Sequence, residues 1–240
     1  MNVRLISKTV GCSPETKDLT IGELLAYIAR VSNPGNQCNH LTAPKLLTFC
    51  LREHHVSVFE QAHLGFEIET SLAIATQILR HASNKFQQFS GRYAEMSMGY
   101  EPSKARRQDT KDRQNSIDDL PEEVIIEFDK AQEEIWEKCY AAYKRALENQ
   151  VAREVARMLL PQNTRTRMYM TGSIRSIIHY CESRAVGRGV QREHRDVGQA
   201  VLHILLQEVP ELSDYFESCG RRCNVDGCLH YFLTCGRLVR

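Results

Sequence analysis

The segment from Pro121 to about Asn149 constrains the fold more than any other part of the sequence. Proline is well placed at a helix start, because its missing N–H would have no partner there. Apolar residues then recur at helical spacing, which predicts one long amphipathic helix. The residues expected to face inward are Ile125, Phe128, Ile135 and Trp136. With 240 residues, the chain is long enough to bury a sizeable core in one large or two small domains.

The remaining periodic segments alternate between strand and helix patterns. Thr20-Ile-Gly-Glu23 is a capping box that predicts a helix, which ends before the turn residues 33–36. Ser71 can cap another helix directly after a strand. The predicted helices cover 20–32, 44–53, 71–79, 151–160, 174–184 and 193–208, and the predicted strands cover 62–69 and 164–171. No βα unit repeats, so we predict a single α+β domain.

Composition excludes several classes of protein. Lys and Arg total 31 against 30 Asp and Glu, so no overall field favours nucleic acid or a membrane surface. No apolar run reaches the roughly 18 residues of a membrane span. The nine cysteines are an odd number, and five of them are scattered without a framework spacing, which favours free thiols in a reducing compartment: Cys12, Cys38, Cys50, Cys139 and Cys181. We therefore expect a cytoplasmic protein, or a viral protein that works in the host cytoplasm.

The densest polar segment runs from Arg80 to Tyr93. Guanidinium groups, amides and backbone N–H groups converge in it, and these groups can hold a phosphate and a pyrimidine edge. The alternative is a surface turn with solvated charges. Lys104–Asn115, in contrast, is so polar that we predict an exposed excursion.

Two further clusters are rich in arginine. Arg153 and Arg157 lie one helical turn apart, although an exposed, ion-paired helix would give the same pattern. Arg175 and His179 share a helix face, and Arg184 follows them. Together with the first segment, they suggest a polyanion site assembled from distant parts of the chain. Gly-x-Gly-x-x-Gly and Walker loops are absent from the sequence, as are Ser/His/Asp and Cys/His signatures.

At this point several motifs resemble a known family, the flavin-dependent thymidylate synthases (ThyX). Arg80-His81, followed at the family's spacing by Ser90-Gly91-Arg92-Tyr93, resembles the family signature. Further resemblances, in the family's order, are Ala29-Arg30-Val31-Ser32, His55-Val-Ser57-Val-Phe59-Glu60, Arg153-Glu-Val-Ala-Arg157 with Pro161, Arg175-Ser176 and Gln191-x-Glu193. The resemblance covers about residues 20–216. We assign 1–216 to the synthase domain and 217–240 to a Cys-rich tail; Lys104–Ser116 resembles an insertion of some viral members.

The resemblance implies a fold, an assembly and a reaction. The fold would be of the ThyX type, with a mixed sheet, long helices and active sites between the subunits of a homotetramer. The family uses FAD to transfer the methylene of methylenetetrahydrofolate to C5 of dUMP and to reduce it with electrons from NADPH, giving dTMP. It uses no cysteine nucleophile, and neither metal, nucleic acid nor membrane enters as a partner.

The resemblance also implies a role for individual residues. The catalytic residues would be Arg184, which faces the pyrimidine, Ser90, which orients the base, and His55, which relays protons. The nucleotide would be held by Gln77, Arg80, Gln88, Ser90, Gly91, Arg92, Arg157 and Arg184. FAD would be contacted by Ser32, Ser57, Glu60, Arg80, His81, Gln88, Arg175 and His179.

Several positions depart from the family pattern. Ala82 replaces the third motif residue, an arginine, and Gln88 stands where many members carry Glu. His179 and Ser173 replace common Asn residues near the flavin. These changes leave open hydroxymethylation at C5 of dUMP or dCMP, and a non-catalytic relative that binds a nucleotide or RNA. A structural helical adaptor would require the arginines to be solvated.

The tail carries four cysteines. Cys219, Cys223, Cys228 and Cys235 lie near His230, but their spacing only half matches that of zinc sites. We therefore expect free thiols or tail packing and no structural metal.

Overall fold

An antiparallel sheet of four strands forms the centre of the fold. The computed structural model describes the backbone of residues 1–223 and the side chains of residues 1–218. The strands of the sheet are β1 (Asn2–Lys8), β2 (His63–Ser71), β3 (Lys85–Gln88) and β6 (Arg165–Ser173), in the order β1-β2-β6-β3, and the short strands β4 (Arg107–Gln108) and β5 (Ser116–Ile117) pair separately.

The two central strands have opposite faces of different character. Phe66 lies opposite Met170 and Ile68 opposite Met168, and all four side chains are fully buried in the main core. The alternate residues of β2 and β6 carry charged and polar groups on the other face, where Arg167 donates to Glu69 at 2.6 Å. This alternation is the period of two that predicts a half-buried strand.

The predicted α+β class is confirmed, but the expectation of a mixed sheet is wrong. All pairings in the four-stranded sheet are antiparallel. β2 and β3 run in the same direction and are joined through a helix, as in a parallel unit. They never become neighbours, because β6 inserts between them from much later in the chain.

The helices follow the predicted order closely. They are α1 (Ile21–Ala29), α2 (Ala43–Arg52), α3 (Leu72–Ile78), α4 (Glu122–Glu148), α5 (Arg153–Ala156), α6 (Ile174–Arg184), α7 (Arg192–Glu208) and α8 (Ser213–Cys223). The capping box of α1 is present, with the Glu23 amide donating to Thr20 Oγ1 at 3.2 Å. None of the described helices is long and apolar enough to cross a membrane.

A serine ends each central strand and caps the helix that follows. Ser71 Oγ accepts from the Ile74 amide at 3.4 Å, and Ser173 Oγ accepts from the Ser176 amide at 3.2 Å. The chain therefore turns from β2 into α3 and from β6 into α6 without an intervening loop. Since β2 and β6 are paired, α3 and α6 start from opposite ends of adjacent strands.

The prediction that α4 buries one broad apolar face is partly wrong. Phe128 is 42% exposed and Ile135 52% exposed, whereas Trp136 stacks on Tyr140 with ring centroids 5.1 Å apart. The helix packs through a narrower face whose buried residues include Tyr143. Phe128 and Ile135 lie on a neighbouring stripe that is only partly covered, and Phe128 lines a cavity together with residues 104–106 and Ser116.

Three other segments differ from expectation. The helix predicted over 151–160 is split into α5 and a 3₁₀ turn, Arg157–Leu159. The expected excursion at 104–115 is a small hairpin, β4–β5. Helix α8 runs across residue 216, where we place the start of the tail, while Cys228, His230 and Cys235 lie outside the described residues.

Gly198 permits the close approach of α6 and α7. A Cβ at Gly198 would lie 2.8 Å from the Ala185 nitrogen and 2.8 Å from the Arg184 carbonyl carbon. Both contacts are with backbone atoms at the end of α6, so no side-chain rotation could relieve them. The position of Arg184 therefore depends on the absence of a side chain at residue 198.

We expect Gly198→Ala to lower the free energy of unfolding by about 1–3 kcal/mol, because the added methyl group overpacks a site bounded by backbone. Gly35→Ala is the matched control, since no atom lies within 4 Å of its Cβ position. Urea denaturation followed by circular dichroism measures both variants. Equal stability of the two would contradict this account of the α6–α7 contact.

Candidate functional site

Strand β3 separates two polar clusters that contain most of the residues predicted to bind the nucleotide. The first, which we call the His81 cluster, consists of Gln77, His81, Tyr180, Arg184 and His194. The second, the Ser90 loop, comprises residues 89–93 together with the side chain of Arg157. The predicted residues of the long polar segment thus divide between the two ends of a four-residue strand.

The His81 cluster places a guanidinium directly on a histidine. Arg184 Nε donates to His81 Nε2 at 2.7 Å. Burial, and then the charge of Arg184, lower the pKa of His81 to about 4. His81 is therefore neutral near pH 7 and accepts through Nε2, so its proton is on Nδ1. The arginine keeps its positive charge beside a neutral ring, as the predicted role at a pyrimidine requires.

The same cluster contains a buried histidine that we did not predict. His194 is fully buried, with Nδ1 3.2 Å from Gln77 Oε1 and Nε2 3.2 Å from the Tyr180 hydroxyl. Burial, and then Arg184, lower the pKa of His194 to about 3. The His81 ring meets Tyr180 edge-on, with centroids 4.8 Å apart. Predicted Gln77 and His81 thus rest on an interior layer of Tyr180 and His194.

The Ser90 loop is packed tightly against Arg157. A Cβ at Gly91 would lie 3.0 Å from Met96 Sδ and 3.3 Å from Arg157 Cδ. The Arg92 amide donates to Ser90 Oγ at 3.3 Å. A backbone turn with a serine hydroxyl and a guanidinium beside it can hold an anion.

Charged partners occupy part of this loop. Arg92 Nε contacts Glu154 Oε2 at 3.1 Å, and both side chains are more than half exposed. Exposed ion pairs contribute little to stability, so Arg92 can exchange Glu154 for an anionic ligand. Gln88, at the end of β3, donates to Thr166 Oγ1 at 3.3 Å.

A cavity of about 660 Å3 lies near α6 and contains three predicted flavin contacts, Glu60, Arg175 and His179. Arg175 donates to Glu60 Oε1 at 3.0 Å. The other lining residues are Leu51, His54, Val56, Phe59, Ser83, Ser176, Ile178, Glu182 and Tyr215. The cavity thus combines an apolar wall with cationic and hydroxyl groups, and its size is typical of a ligand pocket.

Other predicted residues are not gathered into these places. Ser32 is exposed in the turn after α1, and Ser57 is exposed in a 3₁₀ turn, Val56–Glu60. Arg80 is exposed beside the His81 cluster. The ring of His55 meets Phe49 edge-on at 5.9 Å, and its neighbour His54 lines the cavity instead.

His194 and Tyr180, which sequence reasoning missed, showed only a weak pattern in the sequence. His194 starts the stripe that continues with Val197, Val201 and Leu205, all fully buried, so its spacing indicated burial. Gln191 and Glu193 were noted as a motif but received no role. Tyr180 could not be distinguished from an ordinary core residue.

Two of the described thiols, those of Cys50 and Cys181, are buried in the main core. Burial raises the pKa of Cys50 and of Cys181, the opposite of what a nucleophile needs. Cys12 and Cys38 are exposed. Within residues 1–218, no group of three or more His, Cys, Asp or Glu side chains could hold a metal ion.

The comparison with solved structures concerns the fold. A UMP/dUMP methylase, PolB, from Streptomyces cacaoi, bound with 5-Br dUMP, superposes with a TM-score of 0.77 over 92% of this chain and 96% of that one. The same protein bound with 5-Br UMP gives a TM-score of 0.75. At 22% identity, these matches show that the architecture is shared.

The comparison of sequences is more specific. The model of the family described as "Thymidylate synthase complementing protein" matches residues 18–211. A probable flavin-dependent thymidylate synthase of Paramecium bursaria Chlorella virus 1 is 44% identical over 89% of this chain and 97% of its own length. The flavin-dependent thymidylate synthase of Synechocystis sp. is 45% identical over 90% of this chain and 100% of its own length. The chain therefore belongs to the flavin-dependent thymidylate synthase family.

Proposed function

We propose that this protein transfers the methylene group of methylenetetrahydrofolate to C5 of dUMP and reduces it to a methyl group, giving dTMP. The C5 proton is lost and a new carbon–carbon bond forms at C5, while the methylene carbon–nitrogen bond of the folate breaks and releases tetrahydrofolate. A hydride equivalent that originates from NADPH completes the methyl group. The observation that carries the proposal is the division of the family's nucleotide-binding residues between the Ser90 loop and the His81 cluster, each arranged to hold one end of a nucleotide.

The phosphate fits the Ser90 loop. Gly91 lets the loop pack directly against Met96 and Arg157, the Ser90 hydroxyl can donate, and Arg92 and Arg157 supply positive charge. Charge-assisted hydrogen bonds of this kind contribute about 1.5–3 kcal/mol each. Ser90 then orients the nucleotide from the end of β3.

The pyrimidine fits the His81 cluster. Arg184 remains charged beside neutral His81, and a fixed cation stabilises negative charge that develops on the uracil ring during attack by C5. Gln77 can both donate to and accept from the base edge. Neither step needs a thiol, and burial raises the pKa of the Cys50 and Cys181 thiols.

FAD fits the cavity at Arg175. The residues that would hold it are Glu60, Arg175 and His179, with Ser83 as a further hydroxyl group and Phe59 on the apolar wall. When bound, FAD supplies the electrons that reduce the transferred carbon. His81 lies at the start of the same loop as Ser83, which lines this cavity, and it accepts a hydrogen bond from Arg184. We keep Ser32, Ser57 and His55 as flavin or folate contacts reached from another subunit.

We also propose that the site is completed between subunits of a homotetramer. At about 3.3 Å per residue, the four residues of β3 place roughly 13 Å of strand between the His81 cluster and the Ser90 loop. A single nucleotide cannot easily bridge these clusters within one chain. The partly exposed apolar stripe on α4, which includes Val124, Phe128 and Ile135, offers a surface for a second copy.

Two departures from the family pattern motivate a second chemistry. Ala82 removes a cation and Gln88 removes a carboxylate, so the site has a different charge balance from the usual one. Water could then trap the methylene carbon, and a hydroxymethyl product would result, from dUMP or from dCMP. Because scattered free thiols favour a reducing compartment, we propose that the protein works in the cytoplasm, or in a host cytoplasm.

The product of the reaction separates these alternatives. Purified protein incubated with FAD, NADPH, methylenetetrahydrofolate and dUMP should yield dTMP, identified by mass spectrometry. A parallel incubation with dCMP tests the base. A product heavier than dTMP by one oxygen would indicate hydroxymethylation, and a colourless protein that takes up no FAD and gives no product would indicate a non-catalytic nucleotide-binding relative.

Arginine substitutions test the two clusters. We expect Arg157→Gln and Arg184→Gln each to weaken dUMP binding by about 10- to 100-fold, because each removes a charge-assisted hydrogen bond. Arg145→Gln is the control, since Arg145 is exposed near the end of α4. Isothermal titration calorimetry measures all three. Unchanged affinity in both cluster variants would favour a structural adaptor.

Mixing the two variants tests the location of the site. If each site takes Arg184 from one subunit and Arg157 from another, mixed oligomers of Arg157→Gln and Arg184→Gln chains regain intact sites. Random assembly of equal amounts should restore roughly a quarter of wild-type activity. Refolding or co-expression of the two, followed by the dTMP assay, measures this recovery. If the mixture stays as inactive as the separate variants, both arginines serve one site from the same chain.

A further inference from the structure

A chain of side-chain hydrogen bonds crosses the His81 cluster from the surface to the interior. Gln191 Nε2 donates to Glu193 Oε2 at 2.9 Å, and Gln77 Nε2 donates to Gln191 Oε1 at 2.7 Å. Gln77 Oε1 then meets His194 Nδ1 at 3.2 Å, and His194 Nε2 meets the Tyr180 hydroxyl at 3.2 Å. Five side chains from α3, α6 and the start of α7 are linked in this way.

The carboxylate of Glu193 sets the direction of every hydrogen bond in this series of side chains. An ionised carboxylate can only accept, so Glu193 requires the amide NH2 of Gln191 to point toward it. The Gln191 oxygen must then face Gln77, whose NH2 donates to it. The Gln77 oxygen is left facing His194.

The interior end follows from the same logic. Since Gln77 Oε1 can only accept, His194 must carry its proton on Nδ1. The ring is neutral, so Nε2 has no proton and accepts from the Tyr180 hydroxyl. A fully buried histidine thus has one permitted tautomer and both nitrogens satisfied.

The hairpin at 104–117 keeps Glu193 ionised. Arg106 NH2 contacts Glu193 Oε1 at 2.7 Å, and its side chain is only 11% exposed. Burial alone would raise the pKa of Glu193, but hydrogen bonds from its own backbone amide, from Arg106 and from Gln191 hold that pKa below its ordinary value. Arg106 also donates to Ser116 at 3.0 Å, which ties the anchor to β5.

We propose that this directional chain fixes the amide orientation of Gln77 toward the pyrimidine, with Glu193 and His194 as positioning residues. The proposal rests on the proposed function, because it assumes that Gln77 contacts the nucleotide. One N–H and one oxygen lone pair of Gln77 remain available, and their arrangement is fixed before a ligand arrives. Without the carboxylate, the Gln77 amide can flip and offer the reverse pattern.

Glu193→Gln tests the direction, because it is isosteric but can donate as well as accept. We expect it to weaken dUMP binding by about three- to tenfold, the range for one misdirected hydrogen bond. Glu208→Gln is the matched control: it is on the same helix, paired with Lys8, and similarly exposed at 21% against 22% for Glu193. It should leave the affinity unchanged.

The Gln77→Ala background distinguishes positioning from a general loss of structure. If Glu193 acts through Gln77, then Glu193→Gln has no further effect on dUMP affinity once Gln77 is Ala. The proposal would be overturned if Glu193→Gln lowered the dUMP affinity equally in both backgrounds, or if Glu193→Gln and Glu208→Gln had the same effect. The proposed function would still stand in that case, provided that the wild-type protein synthesises dTMP. If the wild-type protein binds no dUMP, both the positioning of Gln77 and the proposed function are contradicted.

A measurement on the unsubstituted protein tests the chain without a ligand. Long-range proton–nitrogen correlation on protein labelled with 15N-histidine reports the tautomer of each ring. We expect His194 to be neutral at pH 7 with its proton on Nδ1. A proton on Nε2 would reverse the Gln77 amide and contradict the proposed direction.

Discussion

The pairing of β2 with β6 is the interaction on which the arrangement of the site depends. The two strands are in register from His63–Ser173 to Ser71–Arg165, and each ends in the serine that caps the following helix. This pairing fixes where α3 and α6 begin, and therefore where Gln77 and Arg184 lie. Apolar side chains on one face of the paired strands pack against the helices. The opposite face carries ion pairs such as that of Arg167 with Glu69.

Burial of neutral imidazoles gives the site its electrostatic character. Two histidines with strongly lowered pKa values lie beside Arg184 without competing for its positive charge. A carboxylate in either position would neutralise the guanidinium, and a protonated histidine would repel it. Arg184 therefore lies beside two neutral rings.

Much of the architecture could be predicted from local patterns. The capping box at Thr20, the serine caps and the exact range of α6 follow from short-range chemistry that tertiary packing does not override. The antiparallel sheet could not be predicted, because strand order depends on the return of β6 over a long sequence distance. The exposure of Phe128 was missed since helical periodicity indicates an apolar face without indicating what covers it.

The candidate site divides in the same way. Arg92, Arg157 and Arg184 were recognised from motifs, but only Arg92 and Arg157 lie at the same loop, while Arg184 lies beyond the other end of β3. His194 and Tyr180 were missed because a polar group inside an apolar stripe has no motif; only its partners in space reveal a role. The contacts expected for Ser32 and His55 stay predictions.

The hairpin formed by β4 and β5 is difficult to shorten, because its residues form ion pairs with the rest of the molecule. Surface excursions usually tolerate shortening, because their backbone is solvated and few contacts cross to the rest of the molecule. Here Arg106 neutralises Glu193, and Asp118 pairs with both Lys104 and Arg192. A variant that lost the hairpin would leave a half-buried carboxylate without its counter-ion, so trimming the loop would demand a simultaneous change at residue 193.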